Sequence, residues 1–302
     1  MNTPSRPRAT KIICTIGPAT DTSDMLGQLI EAGANVFRLN MSHSKHDWVR
    51  EVVFRIRRKA AELKANVAIL FDLQGPSIRT GDLLEPYHLK KGDTVEIRLG
   101  TAKPELPFST TVNYDGLLQD VQAGHTMVVD NGGILMRIAE VRPDRLICDV
   151  LTEGVFGSRR HINLPGVALR LPALTEKDLA DLAVAVECET DYVAMSFVRD
   201  AAHIAQLREH IDNLGGKAQI VAKIEDQQAV RHIDDIILAA DVIMVARGDL
   251  GIEVSIEELP IIQRRIVRHC HRLGRRCIVA THMLESICLL YTSPSPRDRS
   301  LS

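Results

Sequence analysis

No two of the six cysteines, Cys14, Cys148, Cys188, Cys270, Cys277 and Cys288, stand in a CxxC pair. Their spacing matches neither a disulfide framework nor a zinc site, so they read as buried thiols of a reducing compartment. Net charge is also lacking, since 37 Lys+Arg against 39 Asp+Glu leave -2. That excludes a general nucleic-acid or membrane partner, because any anion must be held by local sites rather than by a global field. Long apolar runs are missing too. The most apolar stretch, IDDIILAADVIMVA, is interrupted by Asp241 and is too short to span a bilayer. The opening MNTPSRPRAT has no apolar signal core, and a cytoplasmic location is expected. What is present is 45% hydrophobic and 25% charged residues over 302 positions, the profile of a globular protein with a sizeable core.

Short Val- and Ile-rich runs recur: KIICTIGPA, VFRLNMS, VAILFDLQG, YVAMSF, IVAKIED, VIMVARGDLG and CIVATHM. Such runs suit strands buried on both faces, as in parallel sheets. Helical patterns lie between most of them. Trp48, Val52, Ile56, Ala60 and Leu63 form one apolar stripe. Thr175 with Asp178, and Ser255 with Glu258, have the spacing of capping boxes, and Gly274 is a helix stop. Strand and helix in alternation predict an α/β fold. From Asp82 to Leu171 the pattern changes to period-two runs such as DTVEIRL and GILMRIAEV, with turn signals at Lys91-Gly92-Asp93 and Asn131-Gly132-Gly133.

The expected architecture is therefore a TIM (β/α)8-type barrel with an inserted all-β lid domain. Residues 1–81 and 172–287 form the barrel, 82–171 the lid, and 288–302 a foreign or disordered tail that is Ser-, Pro- and Arg-rich from Thr292. A barrel of this type needs eight strands. Seven candidates are found, and the barrel is expected to be incomplete.

Active sites of such barrels sit at the C-terminal ends of the strands. Those ends carry Arg38, Asn40 and Ser42; Asp72; Ser196; Lys223 and Glu225; Asp249; and Thr281. Ionic groups there are expensive to bury unless they pair or bind something charged. Lys223 and Glu225 are two apart and share a face, either as an ion-paired lining or, the favoured reading, as a cation beside a metal-binding carboxylate. Glu225 and Asp249 offer hard oxygen ligands from neighbouring strands, which suits Mg²⁺. Arg38 can fork a phosphate. Arg79 reads equally as a solvated loop charge. Together these groups suit a small phosphorylated acid. The tripeptide Arg247-Gly248-Asp249 follows the apolar run Val242–Val245 and reads as a strand end, not an adhesion tag.

The stretches TKIICTIGPAT, VFRLNMSHS, FDLQGPSIRTG, NLPGVALRLPALTEKD, MSFVRD, VAKIED, VIMVARGDLGIEV and IVATHMLES, in this order, closely resemble the pyruvate kinase family. That resemblance implies transfer of a phosphoryl group from phosphoenolpyruvate to ADP, giving pyruvate and ATP. It implies that Arg38 and Lys223 hold the transferring group and that Glu225 and Asp249 ligate Mg²⁺ (or Mn²⁺). Asn40, Ser42, Asp72 and the Leu73 backbone would form a K⁺ site. Arg79, His43 and Arg160 would contact the nucleotide, and Thr281 would relay a proton to the enolate. Backbone N–H groups around Gly248 and Asp249 would face the substrate carboxylate, near Ser196. The family is homotetrameric, through a C-terminal domain that the resemblance does not reach.

The chain departs from the family pattern in three places. Ser77 stands where potassium-activated members have Glu and others Lys, which leans toward potassium independence. His282 stands where Gln is common. The eighth strand and C-terminal domain have no counterpart, so a truncated, poorly soluble and nearly inactive chain is expected. The rival readings are a Mg²⁺-dependent lyase or aldolase acting on pyruvate or phosphoenolpyruvate, and a non-catalytic fragment.

Overall fold

The computed structural model describes residues 9–281 apart from 131 and 256. His282, the turn residue Asn131 and the segment 288–302 lie outside the described residues. The chain runs β1 (Ile13–Ile16), α1 (Ser23–Glu31), β2 (Val36–Asn40), α2 (His46–Glu62) and β3 (Ala68–Asp72). Next come β4 (Tyr87–Leu89), β5 (Thr94–Arg98), β6 (Ser109–Thr111), α3 (Leu117–Asp120), β7 (Thr126–Val129), β8 (Ile134–Val141), β9 (Arg145–Val150), β10 (Gly154–Phe156) and β11 (Ile162–Asn163). Alternation then resumes with α4 (Glu176–Glu187), β12 (Tyr192–Met195), α5 (Ala201–Asn213), β13 (Gln219–Ile224), α6 (Gln227–Arg231) and α7 (Ile233–Ala239). The last described elements are β14 (Val242–Ala246), α8 (Arg247–Glu253), α9 (Leu259–Arg272) and β15 (Arg276–Ala280).

Seven strands form one sheet in the order β1-β2-β3-β12-β13-β14-β15, with every pair parallel. Burial explains the sequences of the inner strands, since all five residues of β14 are buried, whereas β1 and β15 at the edges are mostly half-buried. One face packs on the helices: Val49, Val52, Val53, Ile56 and Ala60 of α2 face Phe37, Leu39 and Phe71 in a single core. The other face closes on itself. Leu70, Ala194, Val221, Val242 and Met244 share a second cluster, and Arg276 Nη1 donates to Tyr192 Oη at 3.2 Å although β13 and β14 lie between their strands. Same-face side chains of strands so far apart meet only where the sheet curls. The fold is an incomplete TIM barrel, with β1 and β15 as the sheet edges among the described residues. No helix of the described residues is long and apolar enough to cross a membrane.

The β unit leaves after β3 and returns before β12, and these two strands are hydrogen-bonded neighbours. It has its own six-stranded sheet, ordered β11-β7-β8-β9-β5-β6, and its own core around Ile97, Met136, Cys148 and Phe156. Burial pushes the Cys148 thiol up to about 12. At its rim, Tyr114 Oη donates to Asp120, whose carboxylate also takes the Arg170 guanidinium. Burial first, then the hydrogen bond to Asp120 and its charge, push the Tyr114 phenol up to about 12. A free phenol ionises near 10, so folding favours the neutral form. The stabilisation is complete below pH ~10 and is lost as pH rises through ~12. Alkaline titration of tyrosinate absorbance is expected to show one late-ionising tyrosine that Tyr114→Phe removes. A wild-type curve lacking that late step would contradict the assignment.

Helix starts follow local chemistry. Thr175 forms a full capping box with Asp178, each side chain bonded to the other's backbone N–H. The Ser255 box does not form. Helix α9 starts at Leu259 with Pro260 in its first turn, and Ser255 contributes only its carbonyl, to the N–H groups of Glu258 and Leu259. Proline lacks an N–H and is best placed in a first turn, so it sets the start one turn later than the Ser-Glu spacing suggests.

Candidate active site at the strand ends

Lys223, near the end of β13, is the centre of the site. Its Nζ donates to Ser196 Oγ at 2.7 Å and lies 2.8 Å from Glu225 Oε1 and 3.2 Å from Asp72 Oδ1. All four side chains are buried. Ser196 Oγ in turn donates to the Leu73 carbonyl at 2.7 Å, and the Phe197 N–H donates to Glu225 Oε2 at 2.6 Å. On the other side Arg38 grips Asp72, with Nε at 2.7 Å and Nη2 at 2.6 Å from Oδ2, while its Nη1 donates to Thr15 at 2.9 Å. Residues from β1, β2, β3, β12 and β13 thus meet at one end of the sheet.

The electrostatics are those of a charged cluster held out of water. Burial opposes the Lys223 charge, but Glu225 and then Asp72 more than reverse this, and the ammonium is raised. Burial pushes Glu225 up to about 7, with the Asp249 charge adding to it and Lys223 opposing. The charged form of Lys223 is therefore favoured, beside a carboxyl that burial holds above the usual range. Glu225 Oε1 and Asp72 Oδ1 face Lys223 as ion pairs yet have no aligned hydrogen bond. Two buried carboxylate oxygens with spare lone pairs can accept a cation.

Asp249 stands in the first turn of α8, not at the end of a strand. Strand β14 stops at Ala246, and a short helix starts directly at Arg247, pinned by buried Leu250. The Gly248 N–H donates to Thr281 Oγ1 at 3.2 Å, which brings the ends of β14 and β15 together. Thr281 itself has φ +58. Asn40 Oδ1 accepts the Ser42 N–H at 3.2 Å, and the His43 N–H donates to the Asn40 carbonyl at 3.4 Å. Arg79 lies on the segment through which the β unit leaves the barrel, and Arg160 between β10 and β11. Arg79 bridges to His161 and donates Nη1 to the Arg159 carbonyl at 3.1 Å. Arg160 pairs with Asp130 at 3.2 Å, and its buried Nε has no hydrogen-bond partner among the described residues.

Other residues of the site gave no local sign of the part they play in it. Asp178 Oδ1 accepts the Gly75 N–H at 2.9 Å and fixes the loop after β3. Phe197 reaches Glu225 through a backbone at φ +54. His161 is kept neutral by burial, against the pull of Asp249, and its ring lies 6.0 Å from that of Phe197.

A curled parallel sheet with a β unit inserted after its third strand thus carries a Lys–carboxylate cluster at its strand ends. The description "Pyruvate kinase, barrel domain" matches residues 7–299, and the chain belongs to the pyruvate kinase family. It is 40% identical over 302 residues to plastidial pyruvate kinase 2 of Arabidopsis thaliana, covering 99% of this chain and 51% of that protein. Against the pyruvate kinase of Clostridium perfringens it is 39% identical over 280 residues, covering 92% and 59%. Against that of Geobacillus stearothermophilus it is 40% identical over 284 residues, covering 93% and 48%. The chain spans about half the length of the curated relatives it matches.

Proposed function

We propose that this chain carries the phosphoryl-transfer site of a pyruvate kinase, which moves the phosphoryl group of phosphoenolpyruvate to ADP to give pyruvate and ATP. The observation that carries this reading is the buried Lys223 ammonium, held by Ser196, Glu225 and Asp72 at the mouth of the barrel. Phosphoryl transfer asks for positioning and charge neutralisation more than covalent chemistry. Lys223 stays protonated and meets the transferring group. Arg38, aligned by Asp72 and Thr15, forks the same group. Thr281 Oγ1 accepts from Gly248, and its hydroxyl relays a proton from water to the enolate carbon, giving one up as it takes one from the water behind it. The N–H groups around Gly248 and Asp249 bind the substrate carboxylate beside Ser196. Arg79, His43 and Arg160 take the nucleotide, and the β unit closes as a lid to exclude water.

The carboxylates fit a hard divalent cation. Glu225 presents an oxygen without an aligned hydrogen bond, and Asp249 is close enough for its charge to weigh on Glu225. These two would hold Mg²⁺ or Mn²⁺, leaving the rest of its shell to water and substrate. When bound, the ion neutralises charge on the phosphoryl and enolate oxygens. For K⁺, the oxygens of Asn40, Ser42, Asp72 and Leu73 are at hand. Asn40 Oδ1, Asp72 Oδ2 and the Leu73 carbonyl already accept hydrogen bonds in this structure. Asp72 Oδ1 still has a spare lone pair for a cation, so the reading that the site works without potassium rests on Ser77 in place of Glu.

The test is ATP formation from ADP and phosphoenolpyruvate with Mg²⁺, titrated with KCl, alongside thermal unfolding of the chain with Mg²⁺ and phosphoenolpyruvate. Slow ADP-dependent ATP formation, far below that of a full-length enzyme, and a Mg²⁺-dependent rise in Tm are expected, with little effect of KCl. Release of pyruvate without ATP would instead indicate a lyase or aldolase. No rise in Tm with either ligand would sink the site assignment, and activation by KCl the potassium reading.

A further inference from the structure

The β unit is tied to the barrel by an outgoing segment after β3 and a return segment from Leu164 to Leu171. The return segment turns at Leu164–Val167, where the Val167 N–H donates to the Leu164 carbonyl at 3.1 Å. From Ala168 it belongs to no strand or helix, so its carbonyls need partners from elsewhere. Two of them, of Leu169 and Leu171, are taken by one side chain. Arg199, a few residues past β12, donates Nη1 to Leu169 at 2.6 Å and Nη2 to Leu171. Arg199 is only 8% exposed, and its own carbonyl lies 3.0 Å from His232 Nδ1, so the guanidinium rests on a fixed part of the barrel.

The residue between them is held by the β unit instead. Arg170 donates Nε to Asp120 Oδ1 at 2.6 Å and its backbone N–H to Asp120 Oδ2 at 3.0 Å. Asp120 ends α3, and its side chain is 2% exposed while that of Arg170 is 65% exposed. Two carbonyls two residues apart are held by the barrel, and the residue between them by the β unit. The return segment is therefore clamped to both bodies within three residues.

We propose that Arg199 and Arg170 form a brace that sets the orientation of the β unit over the barrel mouth. Arg199 fixes the return segment to the barrel, and Arg170 fixes the β unit to that segment. Both act as positioning residues, since neither touches the Lys223 cluster. The consequence for turnover rests on the lid role proposed above. The brace itself does not, and its test needs neither substrate nor turnover.

Hydrogen–deuterium exchange of the whole chain tests it in Arg170→Gln, Arg199→Gln and Arg199→Lys. Amides of residues 166–171 are expected to exchange about tenfold faster in both Gln variants, with β3 and β13 as protected as in the wild type. Arg199→Lys, which keeps the charge but not the two-pronged fork, is expected to recover part of the protection. Wild-type protection of 166–171 in both Gln variants would overturn the brace. So would equal acceleration in β3 and β13, because that would make the arginines general stabilisers. Arg170 is exposed, so Arg170→Gln decides the matter even where Arg199→Gln does not fold.

Discussion

Lys223→Met is expected to cost the chain about 3 kcal/mol of stability and all binding of phosphoenolpyruvate, with activity falling roughly 10²–10³-fold or more. Methionine fills much of the same volume, so the loss is electrostatic rather than a cavity. Asp72 keeps Arg38 as a partner. Among the described residues, Glu225 keeps only the Phe197 N–H. Removing one partner of a buried pair generally costs about 3–5 kcal/mol, because the other charge is left uncompensated. The lower end applies here. Burial already pushes Glu225 up to about 7 with Lys223 present, and without it the carboxyl takes up a proton at neutral pH. Urea unfolding measures the stability term, and the Tm rise with Mg²⁺ and phosphoenolpyruvate measures the binding term. A variant as stable as wild type that keeps its full Tm rise would show that Lys223 is a lining residue and no part of the binding site.

The barrel is legible in the sequence because strands buried on both faces leave little room for polar residues. The runs around Ile69, Val221 and Ile243 read as strands for that reason alone. The charged residues stand out against the same background: Lys223 and Glu225 in such a run must be paired or functional. What is not legible depends on contacts distant in sequence or on backbone geometry. The positive φ of Phe197, which turns its N–H to Glu225, has no residue signature. Asp178 is readable as a cap for Thr175, but nothing local shows that it also holds Gly75, 103 residues away in sequence. Arg199 looks like any arginine after a strand until the return segment is seen against it. Helix α8 is missed because it has no side-chain cap of its own and follows β14 without a turn residue.

Gly75→Ala is expected to disable the site without altering any residue that touches a ligand. Gly75 has φ +70, and a side chain there meets Ser196 Cβ at 2.9 Å, a Phe197 ring carbon at 3.0 Å and the Ser196 carbonyl at 3.2 Å. The backbone term alone is about 1–2 kcal/mol for a non-glycine residue in the left-handed region. The steric term falls on the Ser196–Phe197 peptide, which cannot move freely. Ser196 Oγ joins Lys223 to the Leu73 carbonyl, and the Phe197 N–H holds Glu225. A shift of a few tenths of an ångström therefore moves both the cation and the candidate metal carboxylate, and adds about 1–3 kcal/mol of overpacking. Gly92→Ala separates the two terms. Its φ is +95, and an added Cβ has nothing within 4 Å, so it carries only a backbone cost, in a turn of the β unit. Urea unfolding should rank Gly75→Ala well below Gly92→Ala, and only Gly75→Ala should lose the Tm rise with Mg²⁺ and phosphoenolpyruvate. Equal stability of the two variants, or a full Tm rise in Gly75→Ala, would show that the loop after β3 does not position Lys223 and Glu225.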